Sequence, residues 1–288
     1  MNLVTGGTGH IGNVLVRELV ESQQPVRVLV LPGEDRSILG GLPVEWAEGD
    51  VLNPDSLTSA MQGIETVYHL AGIVSILPGR NEMVRRVNVD GTRNVIQAAH
   101  AAGVRRLVYT SSIHAFQRLA HGREMDESLP FDPLHAISAY DQSKAEASLS
   151  VLQAARDGLD TVIVAPTGVI GPFDFRTSEM GALVLSWMKP GNSILVDGRY
   201  DFVDVRDVAR GEILAGQHGK SGEVYILSGE QIHLVQMMCV VKQLLDLPGT
   251  TVVRRMDGWR GAPDLFPNVL TALVTAMSIA LVSVLVLL

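Results

Sequence analysis

The sequence predicts an α/β protein, a doubly wound parallel sheet with a smaller C-terminal lobe. Three observations predict it. Short apolar runs alternate with segments of helical period through residues 1–165. A glycine-rich stretch, Thr5-Gly6-Gly7-Thr8-Gly9-His10-Ile11-Gly12, joins the first run to the first helical segment. The runs Val26-Arg27-Val28-Leu29-Val30-Leu31 and Thr161-Val162-Ile163-Val164-Ala165 are almost continuously apolar, as strands covered on both faces must be. Strand-helix alternation with short connections then leaves an open, Rossmann-type sheet.

Leu3-Val4-Thr5 reads as the first strand and Val14–Val20 as the body of the first helix. Strand, glycine turn and helix together form the context a dinucleotide phosphate needs. Glycine lets the backbone approach a pyrophosphate, and the helix N-terminus offers N–H groups with partial positive charge. After the second strand come Leu31, Pro32, Gly33, Glu34, Asp35 and Arg36, where an acid favours a free ribose 2′-hydroxyl and an arginine a 2′-phosphate. Both residue types are present, so NAD and NADP stay open.

Val44–Ala47 reads as the third strand, leading to Gly49-Asp50-Val51. Asp50 has two readings: an acceptor for an adenine amino group, or a cap for the helix near Pro54. Thr66–Leu70 is the fourth strand, followed by the small residues Ala71 and Gly72, where a cofactor can pass. A helix is expected from about residue 82 to 102, with Asn88 inside it as a bridge to the sheet or a site residue. Arg106–Thr110 is the fifth strand and delivers Ser111 and Ser112 at its carboxyl end, where open parallel sheets bind ligands. The next helix runs to about Arg156 and puts Tyr140 and Lys144 one turn apart on one face. Beyond Pro166 the expected elements are a helix near residues 178–188, a strand at 194–196, a helix beginning with Phe202–Ala209, and a strand at 223–227.

The expected organisation is a cofactor domain over residues 1–165, to which 199–228 returns, and a substrate lobe over 166–264. A hydrophobic helix follows over 265–288. Within it, Val269–Leu288 carries no charge and, as a helix, would span about 30 Å, the thickness of a bilayer core. Arg254, Arg255 and Arg260 precede it, so a membrane anchor there would leave the enzyme domain in the cytoplasm. A buried lobe helix, or one completed by further chain, is the other reading. Oligomeric state is left open, a homodimer among the options.

The net charge of −8 and the lack of a basic cluster argue against a nucleic-acid partner and point to a small-molecule substrate. Cys239 is the only cysteine, so no internal disulfide forms, and a reducing compartment is the simple reading. The eight histidines show no metal-ligand spacing, and no metal site is expected.

Ser112, Tyr140 and Lys144 form the candidate catalytic set. A free tyrosine ionises near pH 10, and a neighbouring lysine with an oxidised nicotinamide would favour the phenolate. Reaching about pH 7 takes roughly 4 kcal/mol of differential interaction. Tyr140 would then exchange an alcohol proton while hydride moves, Ser112 would orient the oxygen, and Lys144 would hold the nicotinamide ribose.

With these motifs, residues 1 to about 230 resemble the extended short-chain dehydrogenase/reductase superfamily, the NAD-dependent epimerase/dehydratase group. Further support comes from Asn88-Val89-Asp90-Gly91-Thr92, Pro166-Thr167-Gly168-Val169-Ile170-Gly171-Pro172 and Phe202-Val203-Asp204-Val205-Arg206-Asp207-Val208-Ala209. The wording is nearest the 3β-hydroxysteroid dehydrogenase and dihydroflavonol reductase branch. The resemblance implies cofactor contacts at Gly6, Gly9, His10, Ile11, Gly12, Asp50, Val51, Leu70, Ala71, Gly72, Tyr140, Lys144, Pro166 and Val169. It also implies hydride transfer between a secondary alcohol and a ketone. A nucleotide-sugar epimerase or dehydratase and a non-catalytic cofactor-binding module are the alternatives. Ala165-Pro166-Thr167 departs from the Arg/Asn-containing stretch of the sugar-nucleotide enzymes, and Leu31 stands where NADP-using relatives often carry arginine.

Overall fold

The computed structural model describes residues 1–75, 81–120, 123–189, 193–196, 198–247 and 251–254. They fall into two compact units, 1–176 with 203–228, and 177–202 with the described residues from 229 onward.

The first unit is built on the seven-stranded parallel sheet. Its strands are β1 (Asn2–Thr5), β2 (Val26–Val30), β3 (Glu45–Glu48), β4 (Thr66–His69), β5 (Arg106–Thr110) and β6 (Thr161–Pro166). The short β7 (Gly168–Ile170) lies outside this sheet, as do β8 (Ser193–Val196) and β9 (Arg199–Asp204). The seventh member is β10 (Val224–Leu227), and the order across the sheet is β10-β6-β5-β4-β1-β2-β3. The order reverses beside β1, so the connections leaving β1 and β4 diverge and open a crevice at their carboxyl ends.

The helices are α1 (His10–Glu21), α2 (Pro54–Ala60), α3 (Asn81–Arg85), α4 (Gly91–Ala101), α5 (Ala139–Arg156), α6 (Glu179–Trp187), α7 (Val205–His218) and α8 (Leu234–Leu244). On one face of the sheet α1 and α7 close over Val4, Val28, Val108 and Val164. On the other, Leu3, Leu57, Met61, Val95 and Leu107 form the core under α2 and α4. Side-chain caps set several helix starts, with Asn53 accepting from Asp55 and Ser56 N–H, and Ser138 from Asp141 N–H.

Two expectations are corrected. The helix foreseen over 82–102 is interrupted by a π-helical turn at Arg86–Asp90, with Asn88 buried inside it. The helix foreseen from Phe202 starts only at Val205. Phe202 and Val203 are buried in β9, and Asp204 ends the strand by accepting from Arg206 N–H with its carboxylate.

In the second unit, α6 and α8 pack through buried Trp187 and Met238. The strand β11 (Glu230–His233) pairs antiparallel with β9, and β12 (Thr251–Arg254) pairs parallel with β8. No helix among the described residues is long and apolar enough to cross a membrane. The expected anchor at 269–288 lies outside the described residues.

Candidate active site

The glycine turn is shaped by the crevice it closes. Gly6 has φ +72°, and a Cβ there would sit 2.7 Å from Ala71 N, so the turn lies directly against the end of β4. A Cβ at Gly12 would collide with Gly6 O, so only glycine lets α1 start this close to the turn. Gly9 differs. Its φ of −75° suits any residue, and an added Cβ would meet only Gly6 O, at 3.3 Å. Gly9 also begins α1 with no side-chain cap, leaving the first N–H groups of that helix without one. Open space over an uncapped helix N-terminus fits a cofactor pyrophosphate. His10 faces the Pro172 carbonyl at 3.0 Å through Nε2, and Ile11 packs partly buried against the core.

Across the crevice, Leu70 and Ala71 are fastened to β1, with Leu70 N–H donating to Thr5 O and Ala71 N–H to the Thr5 hydroxyl. Gly72 leaves room for Asn88, whose Oδ1 would be 3.1 Å from a Cβ there. Asn88 accepts from Ile73 N–H at 2.7 Å and donates to Ile73 O and to Ser143 Oγ. It is thus a bridge from helix to sheet end, one of its two expected readings. Asp50 Oδ1 accepts from Leu52 N–H at 2.8 Å, while Val51 is buried beneath α4 and Asn53 caps α2. Pro166 ends β6 opposite Leu227, and Val169 in β7 packs against the core.

Ser112, Tyr140 and Lys144 come together where β5 ends and α5 begins. Ser112 is buried and its Oγ accepts from His114 N–H at 3.2 Å, which fixes the hydroxyl at the strand end. Tyr140 is half-buried, and the Ser112 hydroxyl lies close enough to act on its phenol. Burial pushes its phenol up to about 12; the Ser112 hydrogen bond opposes the shift and the Asp141 charge adds to it. Lys144, one turn further along α5, is held by β5. Its Nζ donates to the Thr110 carbonyl at 2.7 Å and lies 5.0 Å from the centre of the Tyr109 ring. The phenol therefore stays protonated at neutral pH unless a further positive charge arrives.

A family model described as the NAD dependent epimerase/dehydratase family matches residues 2–228. The chain belongs to that family. It is an enzyme of the extended short-chain dehydrogenase/reductase type, for which the cofactor is NAD or NADP. Among the members it resembles is a putative dihydroflavonol 4-reductase of Synechocystis sp., 39% identical over 249 residues, covering 85% of this chain and 72% of the relative. Another is sterol demethylase protein B of Methylococcus capsulatus, 38% identical over 246 residues, covering 85% of this chain and 75% of the relative. The crystal structure of gox2253 superposes with a TM-score of 0.82 at 35% identity, over 88% of this chain and 78% of that one.

Three features of this family member are not foreseen from the sequence. Glu34 folds back onto the glycine turn, where its Oε1 accepts from the Thr8 hydroxyl at 2.5 Å and from Arg176 at 2.6 Å. Its Oε2 accepts from Leu31 N–H. Burial works the other way, yet these hydrogen bonds hold the carboxyl below its usual range. Beside Tyr140, buried Asp141 pairs with Arg118 at 2.9 Å. Behind Lys144, fully buried Glu212 accepts from the Thr110 hydroxyl. Glu212 shares the inward face of α7 with Val205, Val208, Ala209 and Ala215, and a charge in that helical phase was a readable signal.

Proposed function

We propose that the protein interconverts a secondary alcohol and a ketone of an apolar, steroid-like molecule, with NAD as hydride carrier and Tyr140 moving the proton. The observation that carries this reading is the convergence of Ser112, Tyr140 and Lys144 where β5 meets α5, with the Ser112 hydroxyl acting on the Tyr140 phenol and the Lys144 ammonium tied to the Thr110 carbonyl. Bound NAD supplies a hydride acceptor or donor and, when oxidised, a positive ring. Ser112 orients the substrate oxygen, and Tyr140 gives or takes its proton. Lys144 holds the ribose hydroxyls, Gly9 and the start of α1 cradle the pyrophosphate, and Asp50 meets the adenine. With its phenol pushed up to about 12, Tyr140 carries its proton at neutral pH, the form that reduction of a ketone starts from.

Glu34 supports NAD over NADP. A fixed carboxylate between the glycine turn and the end of β2 repels a 2′-phosphate. Arg176 is paired with that carboxylate, and Arg36 is paired with Glu48 and stacked on Trp46. The names of the two relatives, a reductase and a protein of sterol demethylation, support an apolar substrate over a sugar nucleotide.

The test is to offer purified protein NADH with a panel of cyclic ketones, or NAD with the matching alcohols, and follow nicotinamide absorbance. Turnover that Tyr140→Phe abolishes is expected. Turnover only of sugar nucleotides would overturn the reading.

A further inference from the structure

No step above uses Glu212, although it is fully buried on α7. Its Oε1 accepts from the Thr110 hydroxyl at 2.5 Å, and its Oε2 has no hydrogen-bond partner. Thr110 reaches the site with its other oxygen: its backbone carbonyl accepts from Lys144 Nζ at 2.7 Å. One residue therefore touches the carboxylate with its side chain and the ammonium with its backbone.

A buried carboxylate with one oxygen unpartnered is costly unless a charge compensates it. Lys144, also buried, is the cation whose charge acts on Glu212. The other titratable groups facing the two are neutral. From β4, His69 faces Lys144 and is held neutral by burial, and Tyr68 faces Glu212 with its phenol pushed far up. Tyr109 on β5 and Tyr140 on α5 are phenols pushed up by burial. Arg105 and Arg106 act on Tyr68, and Arg106 donates to the Ala215 and Gly216 carbonyls toward the end of α7 and pairs with Asp160.

We propose that Glu212 is the buried counter-charge of Lys144, coupled to it through Thr110, and that it acts as a positioning residue keeping the lysine charged and aimed. The proposal rests on the reading of Lys144 as the residue that holds the nicotinamide ribose. The titrations agree with the geometry. Burial pushes Lys144 down to about 8 while the Glu212 charge opposes it. Burial pushes Glu212 up to about 7, opposed by the Thr110 hydrogen bond and by Lys144. Without the carboxylate, Lys144 loses its proton at lower pH.

The test is a double-mutant cycle on the whole chain without cofactor, using Lys144→Met, Glu212→Gln and the double variant. Melting is followed by circular dichroism from pH 6 to pH 9. Glu212→Gln keeps an acceptor for the Thr110 hydroxyl and removes the charge. Each single variant is expected to melt below wild type. The double variant recovers about half or more of the summed loss, because both charges leave together. The recovery is largest between the two titrations and fades both at alkaline pH, where Lys144 is neutral, and toward pH 6, where Glu212 is protonated. Additive losses, or a recovery indifferent to pH, overturn the proposal. Should Glu212→Gln not fold, Glu212→Asp replaces it: the charge-retaining variant should keep the dependence on Lys144, and losing that dependence overturns the proposal. NADH titration by fluorescence checks the underlying reading separately. Wild-type affinity in Lys144→Met would sink the ribose assignment, while the coupling measured between Lys144 and Glu212 would stand or fall on the melting data alone.

Discussion

Thr5 and His69 stand opposite one another in the register of β1 and β4, and the Thr5 hydroxyl lies 2.7 Å from His69 Nδ1. On the far side of the ring, Nε2 is 3.0 Å from the Thr92 hydroxyl, which itself donates to Asn88 O. Thr92 therefore accepts from Nε2–H, and Nδ1 accepts from Thr5, so the chain of bonds needs a neutral imidazole. Burial, helped by Lys144, pushes His69 down to about 3. A depressed pKa contributes stability that is present above the unfolded value and lost as the pH falls toward the folded one. Between pH 6.5 and 5 the loss is about 2 kcal/mol. Urea denaturation should show that loss in wild type and a smaller one in His69→Gln; equal losses would exclude His69 as the group responsible.

Gly9 and Gly12 should respond in opposite ways. Gly9→Val places a branched side chain in the open space over α1 and is expected to cut NADH affinity at least tenfold with little change in melting temperature. Gly12→Ala drives a Cβ into Gly6 O and is expected to destabilise the fold itself. Unaltered NADH affinity in Gly9→Val would remove the pyrophosphate from this turn.

Tyr140→Phe is expected to lower turnover by about 10²-fold or more while leaving NADH affinity within about twofold. The phenol is the group proposed to move the proton, and the cofactor would be held mainly by the glycine turn and Lys144. Retention of more than a few per cent of the wild-type rate would assign the proton to another group.

Glu34→Ser should raise NADPH affinity several-fold and change NADH affinity much less, since it removes the carboxylate and releases Arg176. Fluorescence titration with the two nucleotides reads both effects. Equal binding of NADH and NADPH by wild type would show that Glu34 does not discriminate.

Much of the sheet was legible because β1, β2, β5 and β6 are apolar runs that no other environment explains. Ser112, Tyr140 and Lys144 were legible because a strand end and a single helical turn bring them together. The start of α7 was misjudged because Phe202–Ala209 mixes strand-forming and helix-forming residues, and only the cap at Asp204 separates them. The π-helical turn left no periodicity to read. The direction of the Lys144 ammonium was hidden for another reason: it depends on a carbonyl of β5, which side-chain spacing does not report.

The chain leaves the first unit after Arg176 and re-enters it at Val203, so the last strand of that unit is synthesised only after the second unit's first segment. Until α7 and β10 arrive, β6 is an unpaired edge, and the apolar face that Val205, Val208 and Ala209 will cover is bare. A nascent chain that has already made the glycine turn, Ser112, Tyr140 and Lys144 therefore holds every group proposed for the chemistry on an unfinished scaffold. Synthesis of the second unit's first segment must intervene before that scaffold can close. Premature termination anywhere between residues 177 and 203 should yield a sticky, inactive fragment carrying an intact catalytic signature.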